Sequence, residues 1–189
     1  MSSKIIFNTE QQIAPEKPKK KAQNAKEKFK KLLKSFLIKL GIFSLILALI
    51  FIFVGGFARV PDNDMFPRFL DGDLLIYSKL STPHTGDVVV YKVNGKTKVG
   101  RIFAVSGDIV NIQDGNYLTL NGILPYEVIF YETSKKGNEV KYPVELQDNQ
   151  FFIMGDQRQA ATDSRTFGPI NSKDIKGVVF LLVLRSRGL

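Results

Sequence analysis

The sequence predicts a mainly β, coiled or barrel-like antiparallel domain standing behind one N-terminal transmembrane helix. Three features carry that expectation. A lysine-dense opening runs into an uncharged apolar stretch, the remainder consists of short β-branched and aromatic runs with little helical periodicity, and Gly, Asn and Asp clusters separate those runs. A chain of 189 residues that is 44% apolar can bury one core and carry appendages.

Residues 1 to 23 are polar, contain Pro15 and Pro18, and close on Lys19-Lys20-Lys21, which is too little apolar content for a core and predicts a disordered cytoplasmic tail. From Ala25 to Lys39, Phe29, Leu32, Leu33 and Phe36 fall at helical spacing with lysines between them. This pattern predicts a helix lying on a membrane surface, its lysine stems reaching towards headgroups. Leu40 to Phe57 is eighteen residues without a charge. At about 1.5 Å rise per residue it reaches about 27 Å, close to the ~30 Å hydrocarbon core of a bilayer. A cleavable signal peptide is the competing reading, because Gly56-Phe57-Ala58 places small residues at its far end. The length of the apolar run and the 39 residues before it favour an uncleaved anchor. Dense lysines before the span and sparse charge after it predict a single-pass protein of the cell membrane, N-terminus cytoplasmic. The expected division is therefore 1–39 as tail and juxtamembrane helix, 40–57 as anchor, and 58–189 as an extracytoplasmic β domain.

Within that domain, Leu74 to Tyr77, Asp87 to Lys92, Val99 to Val105, Asp108 to Gln113 and Tyr117 to Leu120 read as strands, followed by Glu127 to Glu132, Phe151 to Met154 and Gly177 to Leu184. Turn chemistry separates them at Thr85-Gly86-Asp87, Asn94-Gly95, Ser106-Gly107-Asp108, Asp114-Gly115-Asn116 and Asn121-Gly122. Asn94-Gly95 predicts a hairpin. Such regular punctuation is that of an all-β domain. Residues 125 to 149 match no pattern, and their Tyr126, Phe130, Tyr131 and Tyr142 fit either a core or an exposed apolar rim.

The net charge of +9 is concentrated in a tail. Residues 1–39 hold eleven lysines against Glu10, Glu16 and Glu27, a net of +8, so the rest of the chain is close to neutral. A lysine run beside a bilayer is a topology signal or an anionic-lipid contact before it is a nucleic-acid arm. Cysteine is absent, which removes disulfides, thiol nucleophiles and thiolate metal sites. No phosphate loop or metal cluster appears, so no cofactor is expected.

A Pro-bracketed turn rich in Asp and Asn follows the apolar span: Val60-Pro61-Asp62-Asn63-Asp64-Met65-Phe66-Pro67-Arg68-Phe69, then Leu70-Asp71-Gly72-Asp73. It resembles the catalytic turn of type I signal peptidases, in which Ser-Met-x-Pro-Thr carries the nucleophile. Three later stretches match that family in order. Thr85-Gly86-Asp87-Val88-Val89 resembles its Gly-Asp strand start, and Val99 to Asp108 resembles the segment where the catalytic lysine directly precedes an Arg. Met154 to Gly168 is similar to its Gly-Asp-Asn-Arg…Asp-Ser-Arg…Gly box. The resemblance implies the signal-peptidase fold from about Leu40 to the C-terminus.

It also implies what the chemistry needs, a serine hydroxyl beside a desolvated lysine whose neutral amine takes the proton, with oxyanion donors nearby. Aligned on the family's motifs, Asp64 replaces the serine, Gly100 replaces the lysine, and Ala161 replaces the serine that helps to orient that lysine. Asp62 stands two residues before the nucleophile position, where an anion opposes oxyanion development. The matched glycines Gly72, Gly107 and Gly155 read as turn positions that tolerate positive φ, and Asp163 as the ion-pair partner of Arg165 or Arg101. An aspartic mechanism needs a second carboxylate sharing a proton with Asp64, for which Asp62 and Asp163 are the candidates. Ser106, Ser164 and the single histidine, His84, read as turn or loop residues.

The expectation is a signal-peptidase-like protein without hydrolysis that receives an extended peptide by strand addition, with Asp62, Asp64, Met65 and Pro67 towards the partner. Degenerate members of this kind in Gram-positive bacteria imply work beside sortases in pilus assembly, with a pilin or other exported precursor as client. The alternative is an active signal peptidase with an unusual dyad.

Overall fold

The computed structural model describes residues 18–113, 116–126 and 132–184. The chain divides into two units, Met1–Ala48 and Leu49–Leu189. Helix α1 begins in the first unit and runs unbroken over Pro18–Val54. Pro18 suits the first helical position, where its missing N–H has no intrahelical partner to lose, and the sequence after it is rich in strong helix formers. The lysine-rich half and the apolar half, expected as separate segments meeting at Lys39, form one helix. Its one glycine, Gly41, costs about 1 kcal/mol relative to alanine, too little to break so long an element. The helix takes in Lys19-Lys20-Lys21, expected to be disordered, whereas residues 1–17 lie outside the described ones. Lys26–Ile50 is long and apolar enough to cross a membrane. The helix ends at Val54, three residues before Phe57, because Gly55-Gly56 follow and their backbone enters a sheet.

The second unit is built on antiparallel strands: β1 Gly55–Arg59, β2 Leu74–Ser78, β3 Val88–Val93, β4 Lys96–Ala104, β5 Ile109–Ile112, β6 Leu118–Leu120, β7 Val144–Glu145, β8 Gln150–Met154, β9 Ile170–Asn171 and β10 Ile175–Leu184. The main sheet has the order β1-β2-β10-β3-β4-β8-β9, and a smaller one the order β6-β5-β7. The mainly antiparallel β fold behind an apolar helix is therefore as the sequence predicts. Strands β1, β7 and β9 were not legible, being short or Gly-rich. The strand expected over Glu127 to Glu132 lies almost wholly outside the described residues.

The run Val88-Val89-Val90-Tyr91 is buried throughout because β3 lies in the middle of the main sheet with apolar residues on both faces. Val88, Val90 and Val99 pack with Met65, Phe69, Leu75 and Tyr77 on one face. Val89, Tyr91, Ile102, Ile153 and Ile170 form the core of the other. A third cluster, with Phe103, Val110, Ile112 and Leu146, ties in the small sheet. The β3–β4 hairpin turns on Asn94 and Gly95, both at positive φ, with Val93 opposite Lys96.

The Asp/Asn-rich turn closes on itself between β1 and β2. Val60 N–H donates to the Asp73 carbonyl (2.8 Å) and Gly72 N–H to the Val60 carbonyl (2.9 Å). Leu70 N–H donates to the carboxylate of buried Asp73, and Asp71 N–H to the Asn63 side chain. Local side-chain acceptors thus replace ladder bonds, the reason Asp and Asn favour such turns.

Candidate functional site

Three segments meet at Asp64: the turn itself, strand β4, and the last box beginning at Met154. Strand β4 presents every second residue to one side, so Lys98 and Gly100 share a face, opposite Tyr91 and Val89 of β3. The Lys98 Nζ donates to Asp64 Oδ2 at 2.6 Å and to Asp62 Oδ2 at 2.9 Å. The Lys98 and Asp64 side chains are 14% and 13% exposed, and Asp62 is 34% exposed. From the last box, Thr162 N–H donates to Asp64 Oδ2 (3.2 Å) and Gln157 N–H to the Asp64 carbonyl (2.9 Å). Asp64 therefore ties the turn, the strand and the box together.

The electrostatics follow from one cation serving two anions. Burial pushes the Asp64 carboxyl above its ordinary value, against the pull of Lys98, and the Asp62 charge adds to the rise. For Lys98 burial acts to lower the amine, but bonds and charges from both Asp64 and Asp62 overcome it and raise it. Lys98 gains two anionic partners against one desolvation, whereas Asp64 gains one cation and the weaker Thr162 N–H and also faces a like charge, so both titrate upward. The Lys98 amine is thus held between the Asp62 and Asp64 side chains.

This arrangement answers the sequence expectations one by one. No shared proton joins Asp62 to Asp64, because Lys98 stands between them. Asp163 cannot complete an aspartic pair either. Its carboxylate accepts from Arg165 Nε (2.9 Å) and Nη2 (2.8 Å) and from Gly155 N–H (2.9 Å). Of the two partners expected for Asp163, Arg165 is the one present. Arg101 instead makes a two-pronged pair with Asp156, at 2.8 and 2.7 Å, and donates to the Gly86 carbonyl. Asp163 also caps the single turn α2, Ser164–Phe167, by accepting from Arg165 N–H.

Met65 was expected to face a partner, but its side chain is wholly buried in the core against β2 and β3, which excludes direct contact. Pro67 is exposed beside Phe66. Gly72 and Gly107 have positive φ as expected. Gly155 does not belong with them, since its role is close approach: a Cβ there would lie 2.5 Å from the Asp64 carbonyl oxygen and 2.4 Å from the Ala161 Cβ. Ala161 is buried at this contact. Ser164 accepts from Ile153 N–H, and Ser106 donates to the Gln150 carbonyl. His84 is exposed in its loop, with Asp87 3.7 Å away.

Gly100 is also a packing position. A Cβ there would lie 2.6 Å from Ile153 Cγ2 and 3.2 Å from Tyr91 Cε1. Side chains of the second core occupy the space into which a lysine at 100 would start. The functional residue that motif matching missed is Lys98. Its signal was available, because two residues along a strand returns to the same face.

Chemically, position 64 carries no hydroxyl, and the amine that faces it, Lys98, is ion-paired to two carboxylate side chains. The N–H of Asp64 donates to Asp62 Oδ1 (3.1 Å), so an anion already occupies the donor that a developing oxyanion at residue 64 would use. Two buried arginines secure the segment after residue 132 over the last box. Arg158 Nη1 donates to Thr133 Oγ1 (2.7 Å), Arg165 Nη1 to the Ser134 carbonyl (3.2 Å), and Lys136 to the Gln159 carbonyl. Of the aromatic residues read as core or rim, Tyr126 is 97% exposed. Tyr142 packs against the third cluster, and burial pushes its hydroxyl up to about 12.

The chain is similar to known proteins over most of its length. The family described as signal peptidase, peptidase S26, matches residues 30–184. The inactive signal peptidase IA of Staphylococcus aureus (strain COL) is 31% identical over 73% of this chain and 87% of its own length. Signal peptidase I V of Bacillus subtilis (strain 168) is 29% identical over 64% of this chain and 81% of its own. A solved signal peptidase I from Enterococcus faecalis V583 is 21% identical, covering 53% of this chain and 98% of that one, with a TM-score of 0.44. With its matched region reaching from the apolar helix through the last strand, the chain belongs to the signal peptidase, peptidase S26, family.

Proposed function

We propose that this chain is a membrane-anchored, non-hydrolysing member of its family that holds an exported precursor in extended form. The client is a surface-protein precursor such as a pilin, presented to a sortase for assembly. The observation that carries the reading is the ion-paired group Asp62, Lys98 and Asp64, which leaves neither a hydroxyl nor a neutral amine at the nucleophile position. An alkoxide cannot form where there is no hydroxyl, and a charged ammonium cannot take a proton. The similarity to an inactive signal peptidase supports the same reading. α1 anchors the protein with its lysine-rich end in the cytoplasm, and the β unit works on the far side. Main-chain pairing with a sheet edge supplies affinity for an extended segment.

The test uses the full chain in cells, with a photo-crosslinker replacing the exposed Phe66 beside Asp64. The expected outcome is capture of a pilin precursor with its signal segment uncut by the purified chain. Cleavage of that precursor by the purified chain defeats the proposal. The second reading, an active processing peptidase, is favoured by similarity to signal peptidase I V of Bacillus subtilis, and the cleavage arm of the experiment decides for it.

A further inference from the structure

We propose that the small sheet carries a second docking surface, one that takes a polypeptide segment whose apolar side chains are flanked by lysine or arginine. It stands apart from the Asp64 site, which is built on the main sheet, and it draws on none of that site's residues.

The surface is built on a turn that is held rigidly. Asn121 and Gly122 both lie at positive φ, and Leu120 and Ile123 exchange backbone bonds across them at 2.9 and 3.0 Å. The Asn121 side chain is fixed at both ends. Its oxygen accepts from Ile109 N–H and its amide donates to the Asp108 carboxylate, each at 2.8 Å, while Asn121 N–H donates to the Ile109 carbonyl. These bonds bring Ile109 beside the turn. Ile123 and Leu124 are 72% and 71% exposed, Ile109 is exposed at the start of β5, and the almost fully exposed Tyr126 follows. Val110, Ile112 and Leu118 of the same sheet fill the third cluster, so the sheet has its core and leaves these apolar side chains outside it. Apolar groups gathered in the open on a fixed frame mark a contact surface, because little ordering cost remains to oppose their burial.

Charge identifies the kind of partner. From Ile102 to Ser134 the sequence holds acidic residues but no Lys, Arg or His, and the same is true from Tyr142 to Gln157. Every strand of the small sheet lies in one of these two stretches. Of the lysines between them, Lys136 is turned to the last box, where it donates to the Gln159 carbonyl. Glu145 is exposed and stands opposite Ile109 in the β5–β7 ladder, so its carboxylate shares a face with that side chain. An apolar segment that bears cations satisfies both the hydrophobic centre and the acidic margin. A bilayer does not, because anionic headgroups that attract lysine repel carboxylates.

The experiment uses the full chain in a nonionic detergent and reads the anisotropy of a short fluorescent synthetic peptide in which lysine alternates with leucine. Companion peptides carry glutamate for lysine, or serine for leucine. The lysine–leucine peptide should bind, more weakly as salt rises, and neither companion should match it. Its affinity should fall about tenfold or more with Glu145→Lys, and likewise with Ile123→Ser and Leu124→Ser together. Failure of that peptide to bind, equal binding of either companion, or an affinity unchanged by either alteration overturns the proposal. Thermal melting shows that each variant is folded; should the double serine variant not fold, Tyr126→Ser takes its place and decides in the same way. An environment-sensitive fluorophore at position 124 tests the other occupant. A blue shift on reconstitution into phosphatidylcholine vesicles without peptide means that a bilayer covers the surface, and this too overturns the proposal. Capture and cleavage at the Asp64 site decide the reading under "Proposed function", so either can fail without the other.

Discussion

Asp64 is the residue whose meaning the structure changes most. Its carboxylate accepts from Lys98 and from Thr162 N–H, and its carbonyl accepts from Gln157 N–H, so it joins three segments. Yet its ionised form is less favoured than that of a free aspartate, since burial outweighs the ammonium beside it. Because the folded carboxyl titrates above its ordinary 3.8, there is a window in which the folded state keeps a proton that the unfolded state has released. The proton-linked part of Asp64's contribution to stability is whole below 3.8 and is lost as pH rises through the folded value. Lys98 behaves in the opposite range: its contribution is whole below 10.5 and fades as pH climbs past its raised value. Asp64→Asn retains an oxygen for Thr162 and Lys98 but cannot ionise. Urea unfolding in detergent at about pH 3.5 and about pH 7 should therefore show the unaltered chain losing stability relative to Asp64→Asn as pH rises. Asp64→Ala, which forfeits both acceptor contacts, should cost about 1–3 kcal/mol at neutral pH. Parallel pH profiles for the unaltered chain and the amide variant contradict the argument.

Strand β4 shows how an element decides what a substitution means. Position 100 faces Ile153 and Tyr91 in a packed core, and Lys98 on the same face supplies the cation. Gly100→Lys should therefore destabilise by about 1–3 kcal/mol through overpacking. It should leave the chain unable to cleave peptides, because Asp64 still carries no hydroxyl. Stability equal to the unaltered chain, measured by thermal melting, contradicts that expectation. The same strand explains what could be read from the sequence. Its hairpin was legible because Asn94-Gly95 suits a two-residue turn, and the substitutions at 64, 100 and 161 were legible because their flanking motifs survive. Lys98 was not, since motif matching compares positions one by one while a strand offers alternate residues. Gly155 was misread as a turn because sequence does not reveal which backbone comes near it; here it is that of Asp64. The unbroken α1 was missed because the change from lysine-rich to apolar composition at Lys39 resembles a boundary, although no helix breaker stands there.

At the scale of the molecule, charge and structure are segregated. Residues 1–39 hold eleven lysines, while the β unit contains fixed pairs such as Arg101–Asp156 and Arg165–Asp163. We expect the lysines before the apolar half of α1 to set its orientation in a bilayer. Basic residues are retained on the cytoplasmic side of a span, and those near its ends dominate. Protease added to right-side-out protoplasts should digest the β unit while sparing a tag on the N-terminus. Replacing Lys26, Lys28, Lys30, Lys31 and Lys34 with glutamine should expose that tag in a fraction of molecules. The β unit should remain folded in those molecules, because its own ion pairs, such as Arg101–Asp156 and Arg165–Asp163, are left in place. An N-terminal tag digested from outside in the unaltered chain would put the β unit on the cytoplasmic side. An exported precursor would then be out of its reach, and the holding function would fail with the topology.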